Sequence, residues 1–185
     1  MKALLYCCKN KPFINKRGND ITDYPDYVFG CEGINGSIPC ECDYEVEEIY
    51  LEEYDDYNDS IYSKTYYETK TLQEDDLCKQ SCLTADELDD YLKGENSYAI
   101  HIKNLNVFNE PRKLNFYMNK DSTKFIKKAP QNMQVVIDGT YNGMYYNNNK
   151  YILISIRPEL LCKILNGECT VIIKKKVLKE MLINR

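Results

Sequence analysis

Apolar and polar positions alternate most regularly along Ser37-Ile38-Pro39-Cys40-Glu41-Cys42-Asp43-Tyr44-Glu45-Val46-Glu47-Glu48-Ile49. Ile38, Cys40, Cys42, Tyr44 and Val46 recur at every second residue with acids between them, which predicts a half-buried strand. Residues 2–8 form a shorter apolar run, stopped by Lys9-Asn10-Lys11-Pro12, and read as a first strand. Residues 14–37 carry turn signals at Arg17-Gly18-Asn19-Asp20 and Asn35-Gly36, so they read as a loop with one extended piece near Tyr27-Val28-Phe29. Residues 50–70 are acidic and rich in tyrosine, without a clear period.

Helical spacing begins with Leu72, Leu77, Cys78 and Cys82. A second helix follows, announced by Thr84 and Glu87 as a capping box, with Leu88, Tyr91 and Leu92 as its apolar stripe and Gly94 at its C-terminal stop. Tyr98–Leu105 reads as a strand broken by Asn109-Glu110-Pro111, and residues 117–134 are basic and irregular. Val135-Val136-Ile137 and Tyr151–Ile156 predict two strands around a loop of Asn, Gly and Tyr. Pro158 suits the first position of a helix whose buried face is Leu160, Leu161, Ile164 and Leu165, ended by Gly167. Thr170–Ile173 returns as a strand, and Val177, Leu178, Met181 and Leu182 form a short amphipathic end. The order β–β–α–β–β–β–α–β with mostly antiparallel pairing predicts a single α+β domain over residues 1–185.

No apolar run approaches the ~18–20 residues of a membrane span, and the N-terminal stretch is too short for a signal-peptide core. The expected location is the cytosol. The nine cysteines are odd in number in a chain without export signals, so they are expected as free, mostly buried thiols. Cys40-x-Cys42 and Cys78-x3-Cys82, with the single His101, lack the paired spacing of a zinc ribbon, so neither metal nor cofactor is expected. The net charge of −5 conceals an asymmetry: residues 101–185 carry 15 Lys+Arg against 6 Asp+Glu, and residues 1–100 carry 9 against 23. One part of the surface should attract a polyanion and another repel it.

Residues 154–175, Ile-Ser-Ile-Arg-Pro-Glu-Leu-Leu-Cys-Lys-Ile-Leu-Asn-Gly-Glu-Cys-Thr-Val-Ile-Ile-Lys-Lys, resemble the opening strand–helix–strand of ASCH domains of the PUA-like superfamily. Leu4–Cys7, Ser37–Ile49, Leu83–Gly94, Tyr98–Ile102 and Ala129-Pro130-Gln131 look like the family's later elements. The resemblance therefore covers most of the chain, with its signature segment, 151–176, displaced to the C-terminal end. It implies a PUA-like mixed β-barrel flanked by helices, in circularly permuted order, of a type frequent in phages and other mobile elements.

Some ASCH proteins hydrolyse N4-acylated cytidine with a turn lysine, the adjacent threonine and a distant glutamate. Here Cys169 stands at the lysine position, Thr170 is kept, and Ile172 replaces the acid that follows. Thr170 and Cys169 remain the catalytic candidates, but loss of the lysine removes the base, so recognition is expected rather than reaction. The ligand set implied for RNA or a modified nucleoside is Ser155, Arg157, Lys163, Glu168, Thr170, Lys174, Lys175 and Lys176, with Tyr141, Tyr145, Tyr146 and Tyr151 available for stacking. A second reading takes the acidic, tyrosine-studded stretch at Glu52, Glu53, Tyr54, Asp55 and Asp56 as a surface binding the basic groove of a host nucleic-acid enzyme or defence protein. A third is a residual N4-acetylcytidine amidohydrolase.

Overall fold

The structure, a computed structural model, describes residues 1–8, 13–14, 20–21, 36–55, 63–121, 124–139 and 149–183. Its strands are β1 (Lys2–Cys7), β2 (Phe13–Ile14), β3 (Asp20–Ile21), β4 (Ile38–Asp55), β5 (Ser63–Glu68), β6 (Ser97–Arg112), β7 (Tyr117–Asn119), β8 (Met133–Asp138), β9 (Lys150–Ile156) and β10 (Val171–Lys174). Its helices are α1 (Glu74–Ser81), α2 (Ala85–Leu92), α3 (Pro158–Leu165) and α4 (Lys179–Leu182). The fold is α+β, as the order of patterns predicts. Eight strands form one mixed sheet in the order β10-β6-β4-β1-β9-β8-β7 with β5 paired to β4, while β2 and β3 pair separately. The piece around Tyr27-Val28-Phe29 and the loop tyrosines 141, 145 and 146 lie outside the described residues. Among the described residues no helix is long and apolar enough to cross a membrane.

The chain divides into two compact units, one of Met1–Asp43 with Asn104–Asn166 and one of Tyr44–Lys103 with Gly167–Arg185. In the first, β1 and β9 pair in parallel, Lys2 opposite Tyr151 through Cys7 opposite Ile156. Both strands are buried along almost their whole length. Their continuous apolar runs reflect cover on both faces. On one face Leu4, Tyr6, Leu153 and Tyr151 pack with Ile38, Tyr117, Ile126 and Val136. On the other, α3 lies against β1 with Leu161 and Ile164 buried. Cys7, Cys40 and Cys42 are buried on that same side, since β1 pairs antiparallel with β4 through Leu5 opposite Cys40 and Ala3 opposite Cys42.

In the second unit, α1 and α2 cover the sheet face that carries Ile49, Ala99, Val171 and Ile173, contributing Leu77, Leu88 and Leu92. The predicted capping box is present. The Thr84 hydroxyl accepts the Glu87 N–H at 3.2 Å and the Glu87 carboxylate accepts the Thr84 N–H at 2.9 Å. Thr84→Ala is expected to cost about 1 kcal/mol in urea unfolding, and Thr84→Ser almost nothing.

Three elements differ from the sequence pattern. β4 continues to Asp55 and pairs with β5, Tyr50 opposite Glu68 through Asp55 opposite Ser63. Tyr50 and Leu51 are both exposed there, so no alternation marks the strand. β6 runs on through Asn109-Glu110-Pro111 to Arg112. β10 pairs only with residues 98–101 of β6, which leaves the later stretch an edge where a proline is tolerated. Finally, among the described residues seven cysteines are free thiols, but Cys162 is disulfide-bonded, contrary to the all-thiol expectation.

Candidate nucleic-acid interface

The strand–helix–strand expected over residues 154–175 is present as the end of β9, α3 and β10. Its side chains are largely committed to the fold. Ser155 is buried, and its hydroxyl donates to the Pro130 carbonyl at 2.6 Å. Arg157 is exposed at the N-cap of α3, and Lys163 is half-buried in its last turn. These three belong to the first unit. Glu168, Cys169, Thr170 and the lysine run belong to the second.

Cys169 is 1% exposed, and its thiol donates to the Val171 carbonyl at 3.2 Å. Thr170 is exposed but pinned: its N–H donates to the Gln80 carbonyl at 2.9 Å, and its hydroxyl donates to the Gln80 side chain at 3.3 Å. Exposed Glu168 accepts the Cys82 thiol through its carbonyl. Ile172 is buried opposite Ile100. Lys174 pairs with Tyr98 across the ladder, and Lys176 is exposed. The Lys175 ammonium is 3.0 Å from the Glu95 carboxylate and 5.8 Å from the Tyr91 ring centre.

The first unit carries 14 Lys+Arg against 10 Asp+Glu, and the second 10 against 19. The basic excess of the first is concentrated in residues 113–128, with Lys113, Lys120, Lys124, Lys127 and Lys128 against the single acid Asp121. All five lysines are exposed. Among the described residues no ion pair engages Lys113, Lys124, Lys127 or Lys128, in contrast to Lys175. Two phenylalanine rings in the same stretch face outward, Phe116 at 45% exposure and Phe125 at 39%. The Phe125 ring lies near the backbone of Phe116, because a Cβ added at Gly139 would meet both the Phe125 ring and the Phe116 carbonyl within 3.4 Å.

Their chain neighbours Asn115 and Ile126 line an open depression of about 580 Å³, walled also by Gly36-Ser37, Pro111, Lys113-Leu114 and Lys127. Its walls are held from behind. Gly36, at φ 82°, donates its N–H to the Cys7 carbonyl, and Cys7 donates to the Ser37 carbonyl, both at 2.8 Å. Arg112 stacks over Phe108 at 3.8 Å and donates to the Tyr117 hydroxyl at 3.0 Å. Tyr117 is fully buried, and burial pushes its phenol up to about 12 against the opposing pull of Arg112. Burial also raises Asp138, an effect that Arg112 opposes and Glu41 reinforces. The strand end and the short 3-10 turn Leu114–Phe116 are thereby fixed in place by a charged hydrogen bond, which is worth more than a neutral one.

On the acidic side, Glu52 is exposed on β4; Glu53, Tyr54 and Asp55 continue that strand, and Asp56 lies outside the described residues. A smaller groove of about 310 Å³ in the second unit is lined by Tyr44, Glu45, Glu47, Glu48 and Tyr50 with Lys70 and Met181. Glu47 accepts the Thr71 hydroxyl at 2.8 Å and lies 3.3 Å from His101. Although the groove raises its carboxyl by desolvation, the hydrogen bonds from Thr69 and Thr71 and the nearby His101 bring it below the usual range. Among the described residues no three His, Cys, Asp or Glu side chains are grouped to hold a metal ion.

The exposed phenylalanines and the depression were not part of the sequence-derived site. The sequence signal was the interleaving of Lys113, Lys120, Lys124, Lys127 and Lys128 with Phe116 and Phe125, but only the structure decides which aromatic rings face out. Comparison with protein-family models, curated proteins and solved structures finds no match.

Proposed function

We propose that this chain is a non-catalytic cytosolic module that binds single-stranded RNA. In this reading its sheet is a permuted PUA-like barrel of the ASCH type. The observation that carries the proposal is the 113–128 stretch, where exposed Lys113, Lys124, Lys127 and Lys128, with no ion pair among the described residues, are interleaved with two exposed phenylalanines. Lysines neutralise phosphates and release counterions, and aromatic faces stack on unpaired bases regardless of sequence. The engaged side chains of the C-terminal segment support moving the contact surface from that segment to the first unit. Arg157 and Lys163 remain available as further phosphate contacts there.

The expected result is salt-sensitive binding of a labelled single-stranded RNA, read by fluorescence anisotropy. With four phosphates neutralised, the slope of log affinity against log salt should be about −3. Reversing Lys113, Lys124, Lys127 and Lys128 to Glu should abolish binding at low salt, while reversing Lys175 should change little because Glu95 already neutralises it. Absence of binding by the unmodified protein at low salt sinks the proposal.

The acidic second unit, at 10 Lys+Arg against 19 Asp+Glu, favours a second reading as a phage-type inhibitor docked on a basic host nucleic-acid enzyme. A stoichiometric protein partner lost on reversing Glu52 to Lys would support it. Hydrolysis of N4-acetylcytidine is not expected, since the Cys169 thiol is buried and the Thr170 hydroxyl is held by Gln80.

A further inference from the structure

From the depression beside the lysine surface we infer a subsite for a single unstacked nucleotide of the bound RNA, an inference that rests on the RNA-binding reading above. At about 580 Å³ it falls within the ~300–1,000 Å³ of sites that enclose a small molecule, larger than a lone phosphate requires. Its composition has the polarity of a nucleotide. Pro111, Leu114 and Ile126 provide apolar surface for a base, and Ile126 is 5% exposed, so that wall is anchored in the core. Lys113 and Lys127 stand on the lining with no ion pair among the described residues, which suits the phosphates on either side of the inserted residue. Exposed Asn115 offers a donor and an acceptor for a base edge.

The wall residues cannot withdraw easily. The Gly36-Ser37 turn is tied to β1 by two backbone hydrogen bonds of 2.8 Å, and the chain between Pro111 and Lys113 is tied down by Arg112 through Phe108 and Tyr117. A preformed wall lowers the ordering cost of binding. A duplex keeps its bases stacked and paired, so a concave subsite of this kind selects a strand whose base is free to turn out. The exposed Phe116 follows Asn115 directly in the chain and is placed to stack on the neighbouring base.

The test uses a short single-stranded RNA carrying 2-aminopurine at successive positions, with the full chain. Stacking within the strand quenches this base, so its emission should rise at one position on binding. Leu114→Trp fills the depression; it should abolish that rise and weaken affinity roughly tenfold while leaving the salt slope unchanged. Asn115→Trp, at an exposed position that cannot disturb the core, should do the same. Binding with ordinary salt dependence but flat 2-aminopurine emission at every position overturns the subsite and leaves the lysine surface standing. An emission rise that survives in both variants also overturns it. No anisotropy change at low salt removes the RNA-binding reading and this inference together.

Discussion

Above about pH 9 the protein is expected to lose stability steeply. Cys7, Cys40 and Cys42 are buried on the α3 side of the sheet, and burial pushes each thiol up to about 12, with neighbouring thiols adding to the effect. In the unfolded chain the same groups ionise near the ordinary thiol value of about 8.5. A group whose folded pKa is raised contributes its full share of stability below the unfolded value and loses it as pH climbs toward the folded one. The window therefore lies between about pH 9 and pH 12. Within it the unfolded state has released protons that the folded state retains, so each thiol tilts the balance by about 1.4 kcal/mol per pH unit. Three act together, giving a slope of roughly 4 kcal/mol per pH unit, an upper bound because thiolates this close repel one another in a compact unfolded chain as well.

Urea midpoints from pH 8 to pH 11 measure it. Cys40→Val, which keeps the volume and removes the titrating group, should flatten the slope by about a third. A slope unchanged by that substitution would assign the alkaline loss elsewhere, Tyr117 being the next group whose burial raises it. Below pH 9 the same three thiols should resist alkylation in the folded protein, while half-exposed Cys8, Cys78 and Cys82 react first.

Replacing Cys169 by lysine is expected to harm the protein more than replacing it by alanine does. Cys169 is 1% exposed, and its thiol is held by the Val171 carbonyl, so Cys169→Lys asks an ammonium to enter a packed site. An uncompensated buried charge costs about 3–5 kcal/mol, whereas Cys169→Ala should cost about 1 kcal/mol. The lysine chain can soften the penalty only by turning out toward exposed Glu168 and Thr170, which disturbs the strand start that Thr170 pins through Gln80 and Ile102. Equilibrium unfolding distinguishes these cases. Equal stability of Cys169→Lys and the parent chain would mean that the side chain reaches water. No turnover of N4-acetylcytidine is expected from the variant.

The most regular local patterns were legible in the sequence because they are decided locally. Thr84, Glu87 and Gly94 fix the limits of α2 through hydrogen bonds within a few residues, and the alternation from Ile38 to Val46 marks a strand. The far end of β4 was not legible, because Tyr50 and Leu51 face solvent on opposite sides of a hairpin and break the period that identifies a strand. Pro111 looked like a stop because proline forbids a ladder bond, yet on the uncovered stretch of β6 that bond is not required. The pairing of β1 with β9 was equally hidden: a run buried on both faces has no side to show, so neither partner nor direction can be read. The site suffered from the same limitation. Residues 117–134 read as basic, but Phe116 and Phe125 face outward only because Tyr117, Ile126 and Met118 take the places inside.

The parallel union of β1 and β9 also has a consequence for the chain as it is made. β1 leaves the ribosome well before the strand it must lie beside, which is completed about 150 residues later. At about 5–20 residues per second, Leu4, Leu5 and Tyr6 wait roughly 8–30 seconds for their neighbour. Throughout that interval an apolar strand with two sides to cover has only β4 for company. Burial of β1 is therefore delayed until β9 has been made, and through that interval β1 is a segment in need of shelter.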